Sequence, residues 1–259
     1  MDDFRVMSAN LRFGRAEDGP NNWEHRKHRF PMLFDRHPVD FLQVQEANFF
    51  QVDYILEHLP GYRAIGLRDP APRYWQNNAI FHHESWEMVR YSRFFLSPTP
   101  DVPSRFPESR WPRQCTMARF ERGGRSLVCI NTHMDFAVSA RVRGAKVILE
   151  RLAEFDSDTP AVLTGDFNTV PGSPAWRYLT GEEREDGPGP ELPSFRDVFG
   201  QPTGGTHHGF SGRPTTGRID WILYRGPIEC TDAAIVEDAF DGGYPSDHFP
   251  VVAGFRFVG

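Results

Sequence analysis

The chain of 259 residues is poor in lysine, in cysteine and in long apolar runs. Only Lys27 and Lys146 are lysines, and the other basic residues are arginines. With 29 basic against 35 acidic residues the formal charge is −6. Such a balance argues against a protein that coats nucleic acid through a broad basic surface, while leaving room for a site that itself gathers carboxylates. The three cysteines, Cys115, Cys129 and Cys230, are odd in number and lack metal-binding spacing, which excludes a disulfide scaffold and a zinc quartet. No apolar stretch approaches membrane-spanning length, and "MDDFRVMSAN" has neither the basic start nor the apolar core of a signal peptide. A monomeric, cytoplasmic protein with no membrane partner is the expectation.

What is present is a succession of strand-like runs. "FRVMSANLR", "VDFLQVQEA", "NNAIFHH", "EMVRYSRFFL", "QCTMARF", "RSLVCINTH", "AVLTGDFN", "RIDWILYR" and "FPVVAGFRF" combine β-branched and aromatic residues with turn-rich borders. Helical spacing is found from Ser139, a candidate cap, through Val142, Ala145, Ile148, Leu149, Leu152 and Phe155. A second helix is predicted from about Phe49 to Leu59, and a third over Trp23–Arg36, broken at Pro31. Many strands, fewer helices and no repeat point to two packed sheets covered by helices, in a single domain over residues 1–259. Three long connections interrupt the pattern: Ser97–Pro112, Gly181–Pro193, which reads as solvated and mobile, and Gln201–Gly217.

The strands share one habit, which is to end on a residue that carries chemistry. The first ends at Asn10 and the second at Glu46. "VCINTHMD" ends at His133 and Asp135, and "AVLTGDFN" at Asp166 and Asn168. Asp220 heads an apolar run, and Asp247 and His248 precede the last strand. Alternation puts Val6, Ser8 and Asn10 on one face, and Leu42, Val44 and Glu46 on one face, each apolar or small until its final member. Taken singly, each residue has an ordinary explanation: Asn10 a turn, Glu46 a cap for the helix near Asn48, Asp220 a partner for Arg218. Together they require a coincidence at every strand end. Oxygen ligands without thiolate suit a hard cation such as Mg²⁺ or Mn²⁺. Two histidines with Asp and Asn side chains can then position water and stabilise a phosphoryl oxygen.

The ordered set "SANLR", "QVQEA", "NTHMD", "GDFN", "RIDWIL" and "SDHFPV" resembles the endonuclease/exonuclease/phosphatase superfamily, across essentially the whole chain. "NNWEHRKHRF", "FFLSPTPDVPS", "WPRQCTMARF" and "GGTHHGF" further resemble a small bacterial branch near the deadenylase nucleases. The resemblance implies a four-layered α/β sandwich of deoxyribonuclease I type, with two central mixed sheets flanked by helices. It also implies Glu46 as metal ligand, with Asn10 and Asp247 beside it. In the same way Asp166 would direct the attacking water and Asn168 would hold water and phosphate. His248 would be the catalytic histidine oriented by Asp220, and His133 would contact phosphate or donate a proton. One departure stands out: some nucleases of the family carry an acidic residue where this chain has Arg12.

Further candidates for substrate contact are Arg113 in "WPRQC", Arg141 in "SARVRG" and His208 in "THHG", with Tyr74, Trp75, Phe106 and Trp111 as possible stacking surfaces. The expected activity is metal-dependent hydrolysis of a compact phosphomonoester or phosphodiester, on a phosphorylated small molecule or nucleotide. A nuclease acting on single strands is the alternative.

Overall fold

The computed structural model describes residues 3–154, 159–182, 192, 194–201 and 203–258. Its strands are β1 (Asp3–Asn10), β2 (Phe41–Ala47), β3 (Tyr62–Ile65), β4 (Asn77–His83), β5 (Glu87–Phe95) and β6 (Gln114–Arg122). The chain continues with β7 (Arg125–His133), β8 (Ala161–Asp166), β9 (Arg196–Asp197), β10 (Asp220–Arg225), β11 (Ile228–Ile235) and β12 (Val251–Phe257). The helices are α1 (Trp23–Arg26), α2 (Arg29–Arg36), α3 (Phe49–His58), α4 (Val138–Ala153) and α5 (Pro174–Thr180).

Two six-stranded sheets result, with orders β11-β12-β1-β2-β4-β3 and β5-β6-β7-β8-β10-β9. Each contains one parallel pair, β1 with β2 and β7 with β8, among antiparallel neighbours. Both sheets are therefore mixed. Burial sorts the layers. Met7, Leu42 and Val44 on the first sheet pack with Trp23, Phe30, Leu33, Val52 and Ile55 from α1–α3. Ile130 and Leu163 on the second pack with Ala145, Ile148 and Leu149 of α4 and with Leu179 of α5. Between the sheets lie Phe4, Val6, Phe41, Phe120, Cys129, Val162, Ile222 and Phe255. The order is helix, sheet, sheet, helix, the four-layered sandwich expected from the sequence.

The inter-sheet layer changes character along its length. Beyond Val6 and Phe41 it becomes polar, with buried Ser8, Gln43, Gln45, Asn131 and Thr164. Gln45 Nε2 donates to Asn131 Oδ1 (2.7 Å), Asn131 Nδ2 to the carbonyls of Val44 and Ala79 (both 2.8 Å), and Thr164 Oγ1 to Gln43 Oε1 (3.0 Å). These bonds cross from one sheet to the other and fix their relative register immediately below the polar strand ends.

Several local expectations are corrected. The break between α1 and α2 falls at Lys27 and His28, before Pro31. Pro31 instead sits in the first turn of α2, where its missing N–H leaves no hydrogen bond unmade. Ser139 does not cap α4: the cap is Ala137, whose N–H donates to Asp135 Oδ1 (2.9 Å), and Ser139 donates to Glu108 instead. Phe155 and residues 183–191 and 193 of the Gly181–Pro193 connection lie outside the described residues. β3, β9 and β11 were not anticipated. They are short or half-exposed edge pieces, and so lack a clean alternation.

Candidate active site

The C-terminal ends of β1, β2, β7 and β8 reach the same edge of the sandwich as the N-terminal ends of β10 and β12, because the parallel pairs run with one another and against β10 and β12. Asp166 ends β8 opposite Asp220 in the antiparallel register and opposite His133 in the parallel one. The close approach of β7 and β8 requires the glycine of "GDFN": a Cβ at Gly165 would lie 2.1 Å from the Thr132 carbonyl oxygen.

Glu46 arrives by a different route from the one its sequence position suggests. Leu42 and Val44 face the helices, so unbroken alternation would turn Glu46 away from the inter-sheet side. A bulge between Val44 and Ala47 interrupts the pairing with β4, and Glu46 itself adopts φ +60°. The left-handed residue re-aims the carboxylate: Oε1 meets Asn10 Nδ2 (3.3 Å) and Oε2 accepts from the Phe13 amide (2.7 Å). Glu46 does not cap α3. That role belongs to Asn48, reciprocated by Gln51.

Asn10 ties the two sheets together at the site. Its Nδ2 also donates to Asp166 Oδ2 (3.0 Å), and its Oδ1 accepts from the Arg12 amide (2.8 Å). Asn168, at φ +50°, donates its backbone N–H to Asp166 Oδ1 (2.9 Å) and its side chain to the Met134 carbonyl (2.9 Å). His133 Nε2 and His248 Nε2 stand 3.5 and 3.9 Å from Asp166 Oδ2. His248 Nδ1 is 2.8 Å from Asp220 Oδ2, so it carries the proton of that hydrogen bond and Nε2 points towards Asp166. Asp220 does not pair with Arg218, which binds Asp197 (2.7 Å).

Burial pushes the Asp166 carboxyl up to about 7, reinforced by Asp220 and opposed by His248. Burial also disfavours the charged His248 ring, but Asp220 first, then Asp166 and Asp247, override it and raise His248 to about 10. Burial, Arg113 and His248 together press His133 well below the ordinary histidine range. One imidazole is thus held charged and the other neutral on either side of a single carboxylate.

Asp247 lies on the other flank, with Oδ2 3.7 Å from Arg12 Nε and 3.9 Å from His207 Nε2. Arg12, at φ +58°, binds Asp18 through two nitrogens (2.9 and 2.8 Å). The fully buried Arg26 joins the loops behind them, donating to the carbonyls of Leu11 (2.8 Å), Arg12 (3.1 Å) and Pro245 (2.7 Å). The donors of Glu46, His133 and Asp166 lie within 4.8 Å of one another, as do those of Asp166, Asp220 and His248, and of His207, Asp247 and His248. The first two groups, each two carboxylates with one imidazole and no thiolate, fit a hard divalent cation.

The three substrate candidates separate. Arg113 lines a cleft of about 750 Å³ that opens over Glu46 and His133. Its Nε stands 3.7 Å from Asp135 Oδ2 with no hydrogen-bond partner. Arg141 does not line the cleft; it is buried and donates to the carbonyls of Asp135, Phe136 and Asn168, pinning the loops beneath the site. His208 is also turned away, stacked on Phe249 (4.0 Å) with its Nδ1 accepting from Gly212. Its neighbour His207 takes the site side, edge-on to His248 (4.9 Å). Adjacent extended residues face opposite ways, so with His208 turned inward His207 takes the site side. Of the aromatics, Tyr74, Trp75 and Trp111 line the cleft, whereas Phe106 is core.

Solved structures share this architecture. A mannosyl-6-phosphatase from Bacteroides thetaiotaomicron superposes with a TM-score of 0.88 at 27% identity, covering 98% of this chain and 100% of the other. An endonuclease/exonuclease/phosphatase family protein from Bacteroides vulgatus gives 0.88 at 26%, covering 99% and 100%. At 17% identity and a TM-score of 0.74, Danio rerio TDP2 complexed with a single-strand DNA product shares the fold over 99% of this chain and 100% of that one. Among curated proteins, Protein angel of Drosophila melanogaster is 30% identical over 155 residues, 58% of this chain and 41% of that protein, so the match spans under half of the relative. The profile of the Endonuclease/Exonuclease/phosphatase family matches residues 7–248, from inside β1 to His248, and the chain belongs to that family of divalent-metal-dependent phosphoesterases and nucleases.

Proposed function

We propose that this protein is a Mg²⁺- or Mn²⁺-dependent hydrolase of a compact phosphomonoester or phosphodiester. The observation that carries this reading is the convergence of Glu46 and Asp166 on one amide, Asn10, beside the His248–Asp220 pair, with Glu46 and His133 bordering a cleft. A divalent cation held by Glu46, with Asp166 and Asp247 near it, would supply Lewis acidity to a phosphoryl oxygen. Asn10 orients both carboxylates. Asp166, fixed through Oδ1 by the Asn168 amide, directs the attacking water and accepts its proton when ionised. His248, charged and aimed by Asp220, donates to the phosphoryl oxygen or leaving group. His133, neutral beside Arg113, offers a second donor on the cleft side.

The preference for a small substrate rests on the cleft, whose volume suits one drug-sized molecule, and on the acidic total. The likeness to a mannosyl-6-phosphatase supports it further. The buried thiols Cys115 and Cys129, both unpaired, support a reducing, cytoplasmic compartment. One assay panel tests the reading, with Mg²⁺ or Mn²⁺ present. It compares sugar and inositol phosphates, nucleotides, choline phosphodiesters, single-stranded RNA and DNA, and duplex DNA. Faster degradation of oligonucleotides than of every small ester would replace it with the nuclease alternative.

A further inference from the structure

Three arginines line the cleft, Arg12, Arg68 and Arg113. Arg12 is neutralised by Asp18, and Arg113 faces Asp135. Arg68, which lines the same cleft, has no such partner. Its guanidinium lies over the Trp75 ring (4.3 Å) and near Phe95 (5.8 Å). No carboxylate among the described residues pairs with it, and neighbouring Asp69 is exposed to solvent. The next charge it senses is another cation, Arg93, whose guanidinium donates to the Leu67 carbonyl (2.8 Å). Beside Arg68 the cleft is lined by Trp75 and Gln114. Exposed Tyr74 and Trp111 add flat apolar faces along the way.

Resting on the hydrolase reading above, we propose that Arg68, with Trp75 and Gln114, forms a second anion subsite. The substrate is then a small ring compound bearing another phosphate besides the scissile one. The scissile group occupies the Glu46–His133 end. The ring lies against the aromatic wall of Tyr74, Trp75 and Trp111. The second phosphate meets the Arg68 fork, the geometry in which arginine binds phosphate best. Both a sugar bisphosphate and a nucleoside bisphosphate meet this description.

The test uses the full chain and two substrate pairs: fructose 6-phosphate against fructose 1,6-bisphosphate, and adenosine 5′-monophosphate against adenosine 3′,5′-bisphosphate. We expect the bisphosphate of one pair to be preferred in kcat/KM by about tenfold or more, the size of one added guanidinium–phosphate contact. The preferred pair identifies the ring. Arg68→Gln should erase that preference, and Arg68→Lys, which keeps the charge but loses the fork and the stack on Trp75, should retain only part of it. Calorimetric binding of the same compounds to Asp166→Asn protein separates this proposal from the hydrolase reading. Tighter, Arg68-dependent binding of a bisphosphate upholds the subsite even if nothing is hydrolysed. Turnover or binding that does not distinguish the members of either pair, or a preference untouched by Arg68→Gln, overturns the subsite and leaves the hydrolase reading standing.

Discussion

Replacing Asp220 by Asn removes one negative charge from the site and almost no volume. Asp220 Oδ2 is 2.8 Å from His248 Nδ1, and both side chains are buried. Unit charges about 4 Å apart in a protein environment of effective dielectric about 20 attract by about 4 kcal/mol, or roughly a thousandfold in proton affinity. Without Asp220 the remaining support for the charged ring, from Asp166 and Asp247, must work against burial alone. The ring charge, present in the native protein up to about pH 10, should then be lost well below that. The carboxamide can also present its oxygen or its nitrogen to Nδ1, so the tautomer is no longer dictated. The expected result is a kcat lowered by about two orders of magnitude near pH 8, with the melting temperature little changed. The ratio of native to variant rates should shrink as pH falls, because acid restores the ring proton that Asp220 had secured. Steady-state rates from pH 5 to 10, with thermal melts at each pH, read both quantities. A loss smaller than fivefold, or one of equal size at every pH, would refute the assignment of His248 as a charged donor held by Asp220.

Chelation should abolish turnover and Mg²⁺ or Mn²⁺ should restore it, while Glu46→Ala weakens metal binding in calorimetry and removes most activity; full activity with metal shown to be absent contradicts this. The pH–rate profile of the native protein should be a bell. Its alkaline limb lies at or below 10 as His248 discharges and its acid limb at or below 7 as Asp166 protonates, since a bound cation disfavours the charged ring and favours the carboxylate. An acid limb above 7 would count against Asp166 as the base. Gly165→Ala should cost about 2 kcal/mol or more of stability, because its Cβ meets the Thr132 carbonyl oxygen at 2.1 Å. A denaturant midpoint equal to that of the native chain would show that β7 and β8 can separate freely. Arg141→Met should lower the melting temperature and leave KM within a few-fold, since its donors serve the carbonyls of Asp135, Phe136 and Asn168 rather than the cleft; a large rise in KM with unchanged stability would restore it as a substrate contact.

Strand identity and the face of β1 were legible because both follow from period-two burial. Val6 lies in the inter-sheet core, and Ser8 and Asn10 follow it towards the site edge. The ordered polar strand ends indicated a shared edge, and the Asp220–His248 and Asn10–Asp166 contacts are what that ordering becomes when parallel pairs run in one direction. The side chains that depend on departures from regularity were not legible. Glu46 reaches the site only through a bulge and a left-handed backbone, a conformation that local sequence does not dictate for glutamate. His207 and His208 are interchangeable as letters, and the packing of His208 on Phe249 decides which one remains for the site. Arg141 and Arg113 look alike in sequence, yet one is consumed by carbonyls and the other borders open space. Arg68 gave no signal because its distinction is the lack of a carboxylate partner among the described residues, and only the packed chain shows which charges find one another. Sequence by itself set the central strands, the chemistry of their ends and the kind of ion they could hold, since these follow from residue type and local periodicity. Tertiary structure decided which groups share a hydrogen bond, which arginines of the cleft meet a carboxylate among the described residues and how large the cleft is, because each depends on distances between residues far apart in the chain.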